Sequence, residues 1–243
     1  MKIFPPSGPP RENRLLAALP PDVYAGIRPL LEPVELAMRQ VLYERRTPIS
    51  HVYFLCSAVT SLVAIMDDGT VVEVATVGHE GLVGVTAILS SPKSRAQQGA
   101  LAKVITQIPG SVIRIKADVF ELEMERNIEL NRCVRRYLNV LFTQLVLSVG
   151  CNRLHSLEQR CARWLLSSMD RSEYEEIAVT QELLAEMLGV RRQSVDNVLG
   201  ELESKRMIEC LRGSIKINDP TRLSAIACEC YQVAKERLDN FLG

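Results

Sequence analysis

Proline and glycine are spread very unevenly along this chain of 243 residues. Eleven of its twelve prolines and eight of its thirteen glycines fall within residues 1–110. From 111 onward there is one proline, Pro220, and five glycines. Proline removes a backbone donor and glycine opens turn conformations closed to other residues, so a segment rich in both cannot sustain long helices. The chain therefore reads as a turn-rich half followed by a helix-rich half, α+β in class. Its length allows two modest domains, each with a core of its own.

Residues 1–13 hold four prolines and no apolar h-region, which predicts a flexible leader and not a signal peptide or membrane span. Short helices are expected at 14–19 and 22–31, with Asp22 as a cap for the second. Strand-like runs follow at 41–43, 51–55, 61–66, 71–77, 100–107 and 111–115, separated by turn signals such as Asp67-Asp68-Gly69 and Pro109-Gly110. That spacing suggests a compact antiparallel roll or barrel, and Asp68-Gly69 between β-branched runs marks a hairpin.

The second half opens with a helical stretch over 116–149. Leu130, Val134, Leu138, Leu141, Leu145 and Val149 recur at steps of three and four, the spacing of a seam against a partner chain, although a helix buried on its own domain shows the same period. Residues 152–156 read as a hinge. Ser156 and Gln159 form a capping box before a helix whose apolar face is Leu157, Cys161, Trp164, Leu165 and Met169.

The stretch from 179 to 217 carries the most information. Thr180 can cap a short helix with Leu183, Leu184, Met187 and Leu188 on its inner face. Gly189-Val190 supplies a tight turn, and a second helix is expected over 191–205 with Val195, Val198, Leu199 and Leu202 inward. Two strands, 207–211 and 214–217, would flank Arg212-Gly213 as a wing. On a helical wheel Gln193 and Asn197 fall opposite Val195, with Gly200 and Ser204 beside them and Arg192 and Ser194 in the first turn. Glutamine and asparagine can pair twice with adenine, and arginine with guanine, so this face suits the DNA major groove. Charge does not argue for it. Lysine plus arginine equals aspartate plus glutamate at 29 each, so any nucleic-acid reading rests on where charges lie.

The run from Val179 to Leu199 (VTQELLAEMLGVRRQSVDNVL) resembles the helix-turn-helix pattern of the Crp/Fnr regulators. Gly69, Gly78, Gly81 and Gly84 extend the resemblance into the roll, so that it covers about residues 14–222. Ala162–Leu166, Leu188–Arg192 and Cys228–Tyr231 are similar to runs of a subgroup lacking the cyclic AMP-binding residues. The resemblance implies an N-terminal antiparallel β-roll (double-stranded β-helix) as sensor at 14–116, a dimerisation helix at 117–151, a winged helix-turn-helix at 152–222 and a C-terminal helix at 223–243. It implies a homodimeric, cytoplasmic transcription regulator on an inverted-repeat operator, contacting RNA polymerase if it activates. Thr180, Arg191, Arg192, Gln193, Ser194, Asn197 and Arg212 would meet the DNA.

The departures are informative. Cyclic AMP-binding members place a glutamate after the glycine matching Gly84, where this chain has Val85, and an Arg-Ser or Arg-Thr pair where it has Arg95-Ala96. Gly84, Val85, Thr86 and Arg95 mark an effector pocket for an unknown small molecule, not cyclic AMP. The iron–sulfur cysteines of oxygen-sensing members are missing, because the seven cysteines begin at Cys56. Cys228 and Cys230 are read as packing, His79 as a solvent-facing loop residue, and no cofactor or metal is expected. With no Ser/His/Asp set and no phosphate loop, an enzyme is not expected. The competing reading is a ligand-sensing dimer whose helical domain docks a protein partner in place of DNA.

Overall fold

A buried asparagine ties the first described helix to the strands that follow. The computed structural model describes residues 13–85, 99–172 and 174–242. In it, Asn13 caps α1 (Arg14–Ala17), its Oδ1 accepting from the Leu16 amide at 3.0 Å. The Asn13 side-chain nitrogen donates to the carbonyls of Leu55 and Gly81 at 2.8 and 2.7 Å, so this residue, assigned to the leader, anchors the first helix on the roll. Helix α2 (Pro21–Ile27) starts with Pro21 at its first position, where a missing N–H costs nothing. Asp22 lies in the first turn and is not the cap, which corrects the expectation.

Two four-stranded antiparallel sheets form the roll. One runs in the order β1 (Glu32–Leu36), β8 (Gly110–Lys116), β3 (His51–Leu55), β6 (Leu82–Val83). The other runs β2 (Val41–Tyr43), β7 (Lys103–Ile108), β4 (Val59–Ile65), β5 (Val71–Val77). β2, β3 and β5 have the expected bounds. β1 and β6 were not expected: β1 carries Glu32, Pro33 and Glu35, tolerable because it is an edge strand, and β6 has two residues. The β4–β5 hairpin turns through Gly69 at φ 83°, with Asp68 Oδ1 accepting from the Thr70 amide at 2.9 Å.

Val52, Phe54 and Ile115 share one face of their sheet and are fully buried together with Val112, Leu15, Ile27 and Phe120. Each such side chain stabilises the fold by about 1.5–3 kcal/mol relative to exposure. One face of the long helix closes this core.

That helix is two helices, α3 (Ala117–Arg126) and α4 (Ile128–Leu154). The break is Asn127, at φ −120°, whose Oδ1 accepts from the amides of Glu129 and Leu130 at 3.0 and 3.1 Å. An asparagine offers the backbone this alternative to helix continuation. Leu130, Val134 and Leu141 are buried against the roll with Tyr137 and Val140. The expected seam is therefore largely internal core. The apolar stripe left uncovered comprises Phe142 and Val146, outside the expected seam, and Val149, its last member; they are 65%, 55% and 73% exposed. Among the described residues no helix is long and apolar enough to cross a membrane.

The C-terminal part comprises α5 (Leu157–Ser172), β9 (Glu176–Ile177), α6 (Gln181–Leu188), α7 (Arg192–Ser204), β10 (Ile208–Leu211), β11 (Ser214–Ile217), α8 (Pro220–Ile226) and α9 (Cys230–Leu242). β9 completes a three-stranded sheet in the order β10, β11, β9. Two helices replace the expected single C-terminal one, with Asp219 capping α8. Helix α9 folds back along α4. Cys230 lies at Cys151, and the Phe241 ring packs 6.2 Å from that of Tyr137. The Arg136 guanidinium donates to the Phe241 carbonyl at 2.8 Å. A second core fills this part, and Val59, Val63 and Ile108 of the roll belong to it. The packing thus runs continuously across the junction of α4 and α5 at 155–156; residues 152–154, expected as part of a hinge, are the last turn of α4.

Candidate nucleic-acid interface

Ser156 and Gln159 form the anticipated capping box: Gln159 Oε1 accepts from the Ser156 amide at 2.9 Å, and Ser156 Oγ from the Gln159 amide at 3.2 Å. It starts α5 and aims Cys161, Trp164 and Leu165 into the second core, which seats the helix pair that follows. Thr180 Oγ1 accepts from the Leu183 amide at 3.1 Å and so begins α6. Gly189 ends α6 at φ 64°, and its amide reaches the carbonyls of Ala185 and Glu186. A side chain would be strained in that left-handed conformation.

Helix α7 then leaves the turn with Arg191 at its N-cap and no side-chain capping bond. Its first amides are thus unclaimed by a cap, with the positive end of the helix dipole behind them. Val195, Leu199 and Leu202 are buried. Gln193, Asn197 and Gly200 are exposed, Ser194 is half-buried, and nothing lies within 4 Å of where a Gly200 Cβ would stand. Thr180, Arg191, Arg192 and Arg212 are exposed as well. Arg192 is held by Glu182 at 2.8 Å and lies 3.9 Å from Asp196. Thr180, Glu182 and Arg192 line one groove of about 310 Å³ with Leu211, Gly213 and Ser214 of the wing. Arg212 occupies the wing turn beside that groove, between β10 and β11.

Sequence reasoning missed how this unit rests on the roll. Val72 of β5 would stand 3.2 Å from a Cβ at Gly189, so the helix-turn-helix corner lies directly on the roll. Arg39 pairs with Glu186 at 3.1 Å. The Arg171 guanidinium donates to Glu80 at 2.8 Å, a buried pair whose carboxylate also accepts from the Gly78 amide at 3.1 Å. His79, expected to face solvent, is buried, and its Nδ1 lies 3.1 Å from the Arg171 carbonyl, which can only accept. Partners that lie 92 residues apart leave no local signal in the sequence.

A cavity of about 620 Å³ opens between the roll and α4. Of the expected effector residues, Gly84 and Val85 line it, beside Tyr43, Leu62, Leu141 and Phe142. Thr86 and Arg95 lie outside the described residues. The Tyr43 hydroxyl, far up in pKa through burial, donates to the His51 carbonyl at 2.6 Å. It also lies 2.6 Å from where a Gly84 Cβ would be, which explains the glycine. Finally, Cys151, His155, Cys228 and Cys230, scattered in sequence, converge at the end of α4.

Comparison with known proteins shows what the fold and the helix-turn-helix are similar to. Residues 159–226 match the family described as Crp-like helix-turn-helix domain. The Global nitrogen regulator of Nostoc sp. is 24% identical over 185 residues, which cover 73% of this chain and 81% of that protein. A putative transcriptional regulator of the crp/fnr family from Eubacterium rectale superposes with a TM-score of 0.67 at 17% identity, covering 88% of this chain and 99% of the other. FixK2 from Bradyrhizobium japonicum gives 0.67 at 13%, covering 82% and 98%.

Proposed function

Because this chain has the Crp/Fnr-type fold, a cyclic-nucleotide-binding-like roll joined to a Crp-like helix-turn-helix domain, we propose that it is a transcription regulator that binds DNA sequence-specifically as a homodimer. The observation that carries the reading is the outer face of α7. Gln193 and Asn197 stand exposed beside Gly200, behind a left-handed glycine turn. These two side chains read base edges, Arg192 joins them once it leaves Glu182, and Thr180, Arg191, Ser194 and Arg212 hold the phosphates.

The dimer reading is supported by Phe142, Val146 and Val149, an uncovered stripe at helical spacing on α4. Two copies joined there present two recognition helices, so the operator is an inverted repeat. The roll cavity is lined by apolar groups, with Asn139 and the already bonded Tyr43 hydroxyl as its polar side chains among the described residues. Among the described residues this lining offers no cation to the anionic phosphate of a cyclic nucleotide. The described lining suits an apolar small molecule.

Selection of bound sequences from random duplex DNA, followed by gel shift on the selected site, tests the proposal. An inverted repeat bound with an affinity that falls steeply with salt supports it. Binding that shows neither sequence preference nor salt dependence overturns it in favour of a protein-docking role for the helical domain.

A further inference from the structure

We propose that Cys151, His155, Cys228 and Cys230 form a closed tetrahedral site for a single zinc ion, clamping α9 to the hinge end of α4. The inference stands on its own chemistry and does not depend on DNA binding.

Geometry is the first support. One ligand atom from each residue lies within 4.8 Å of all the others. Cys151 Sγ and Cys228 Sγ are 3.5 Å apart, and Cys230 Sγ is 3.7 Å from His155 Nδ1. A tetrahedron with zinc–sulfur bonds of ~2.3 Å and a zinc–nitrogen bond of ~2.0 Å has edges of roughly 3.5–3.8 Å. An iron–sulfur cube would need its ligands spread more widely around it than this group allows. Four protein ligands leave no open position for water, as in structural and not catalytic sites.

The surroundings are the second support. His155 turns its other ring nitrogen, Nε2, to Glu229 at 3.1 Å. A carboxylate behind a ligating histidine fixes the tautomer that presents Nδ1 inward. The three sulfurs are buried, and among the described residues the partly buried Leu147 packs against them. Cys161 offers the contrast of an ordinary core thiol: it is buried among Trp164, Leu165 and other hydrophobics of the second core. Arg163 faces the three sulfurs, and its Nε is buried with no hydrogen-bond partner. Zinc bound by three thiolates and one neutral imidazole carries a net charge of −1, which this cation offsets.

Position gives the site its role. Cys151 and His155 close α4, while Cys228 and Cys230 bracket the turn into α9. Far along α9, Phe241 packs on Tyr137 and Arg136. The strap is therefore pinned by aromatic packing at one end and by metal at the other, directly beside the capping box that starts α5. Binding requires deprotonated thiols and releases their protons.

The test uses the reduced full-length chain, with zinc measured by mass spectrometry of the purified protein and by competition against a chromophoric chelator. About one zinc per chain is expected, with cobalt(II) giving intense tetrahedral bands and thiolate charge-transfer absorption. Cys228→Ser and His155→Ala should lose the metal, and Cys210→Ser should keep it. Should those ligand variants fail to fold, Glu229→Ala serves, with affinity expected to fall 10–100-fold. The proposal is overturned if the reduced wild-type chain binds zinc no more tightly than Cys228→Ser does. It is equally overturned by an octahedral cobalt spectrum, or by a Cys151–Cys228 disulfide whose reduction yields no zinc binding.

Discussion

The indole nitrogen of Trp164 donates a hydrogen bond to the Glu73 carboxylate at 2.6 Å, joining the first helix of the C-terminal domain to a strand of the roll. The other carboxylate oxygen accepts from Thr76 Oγ1 at 3.0 Å. Burial pushes the Glu73 carboxyl up, against the pull of its hydrogen bonds to Ser61, Thr76 and Trp164 and of the Arg163 charge. The folded chain therefore binds this proton more tightly than the unfolded one. The stabilisation it gives is fully present below the unfolded value of about 4.5 and is lost as pH rises through the raised folded value. Glu73→Gln keeps an acceptor for Trp164 and removes the titration. Thermal unfolding followed by the fluorescence of this single tryptophan should show the variant gaining on the wild type as pH climbs from 5 to 8. Parallel curves across that range would remove Glu73 as the source.

The pair Glu80–Arg171 is nearly inaccessible, with 1% and 9% of the two side chains exposed. Arg171→Ala strands a buried carboxylate, and urea unfolding should show a loss of about 3–5 kcal/mol. The double variant Glu80→Gln with Arg171→Met should recover much of it, because neither charge is then left unpaired. A single-variant loss under about 1 kcal/mol would mean that water reaches the pair.

Base recognition by α7 is separable from phosphate attraction. Gln193→Ala with Asn197→Ala should cost roughly 1–3 kcal/mol per lost base contact on the selected operator, and leave binding to random duplex unchanged. Arg212→Ala should instead weaken both duplexes alike and lower the salt slope by about one per protomer, roughly two for the dimer. An operator preference surviving the double change would exclude α7 as the reader.

Helix α4 should supply the dimer contact through its outer stripe. Phe142→Glu with Val146→Glu, at positions already exposed in the single chain, should leave folding intact and convert the dimer to monomer in sedimentation. Affinity for the full inverted repeat should then fall to that for a half-site. A dimer unaffected by both charges would place the contact elsewhere.

Arg192 lies between two roles. Its guanidinium is engaged by Glu182 at 2.8 Å on the preceding helix. Glu182→Gln should raise DNA affinity a few-fold at low salt, by removing a competitor for the arginine and a repulsive charge from the groove. Isothermal titration at two salt concentrations checks this, and an unchanged or weakened affinity would argue that Glu182 orients the arginine instead.

The parts of the fold visible in the sequence are those governed by neighbours a few residues away. Thr180 capping α6, Gly189 at positive φ, the Ser156–Gln159 box and the Asp68-Gly69 hairpin all follow from chain chemistry over two to four positions, and the structure has each of them. The seam on α4 stayed ambiguous for the same reason. Period alone marks Leu130, Val134 and Leu141 as apolar and cannot say whether the roll or another chain covers them. The helix break at Asn127 was legible in principle, since asparagine caps helices, but the apolar rhythm around it masked the signal.

Local sequence determined which residues turn, cap and alternate, and thereby a β-roll followed by a helix pair with an exposed Gln193–Asn197 face. Tertiary structure alone decided that Trp164 meets Glu73, that His79 is buried on Arg171, and that Cys151, His155, Cys228 and Cys230 share one point in space. The reason is physical. Local elements are set by backbone dihedrals and periods of two or 3.6 residues. Contacts between groups 77 to 92 residues apart depend on how finished elements pack, and no local pattern encodes that.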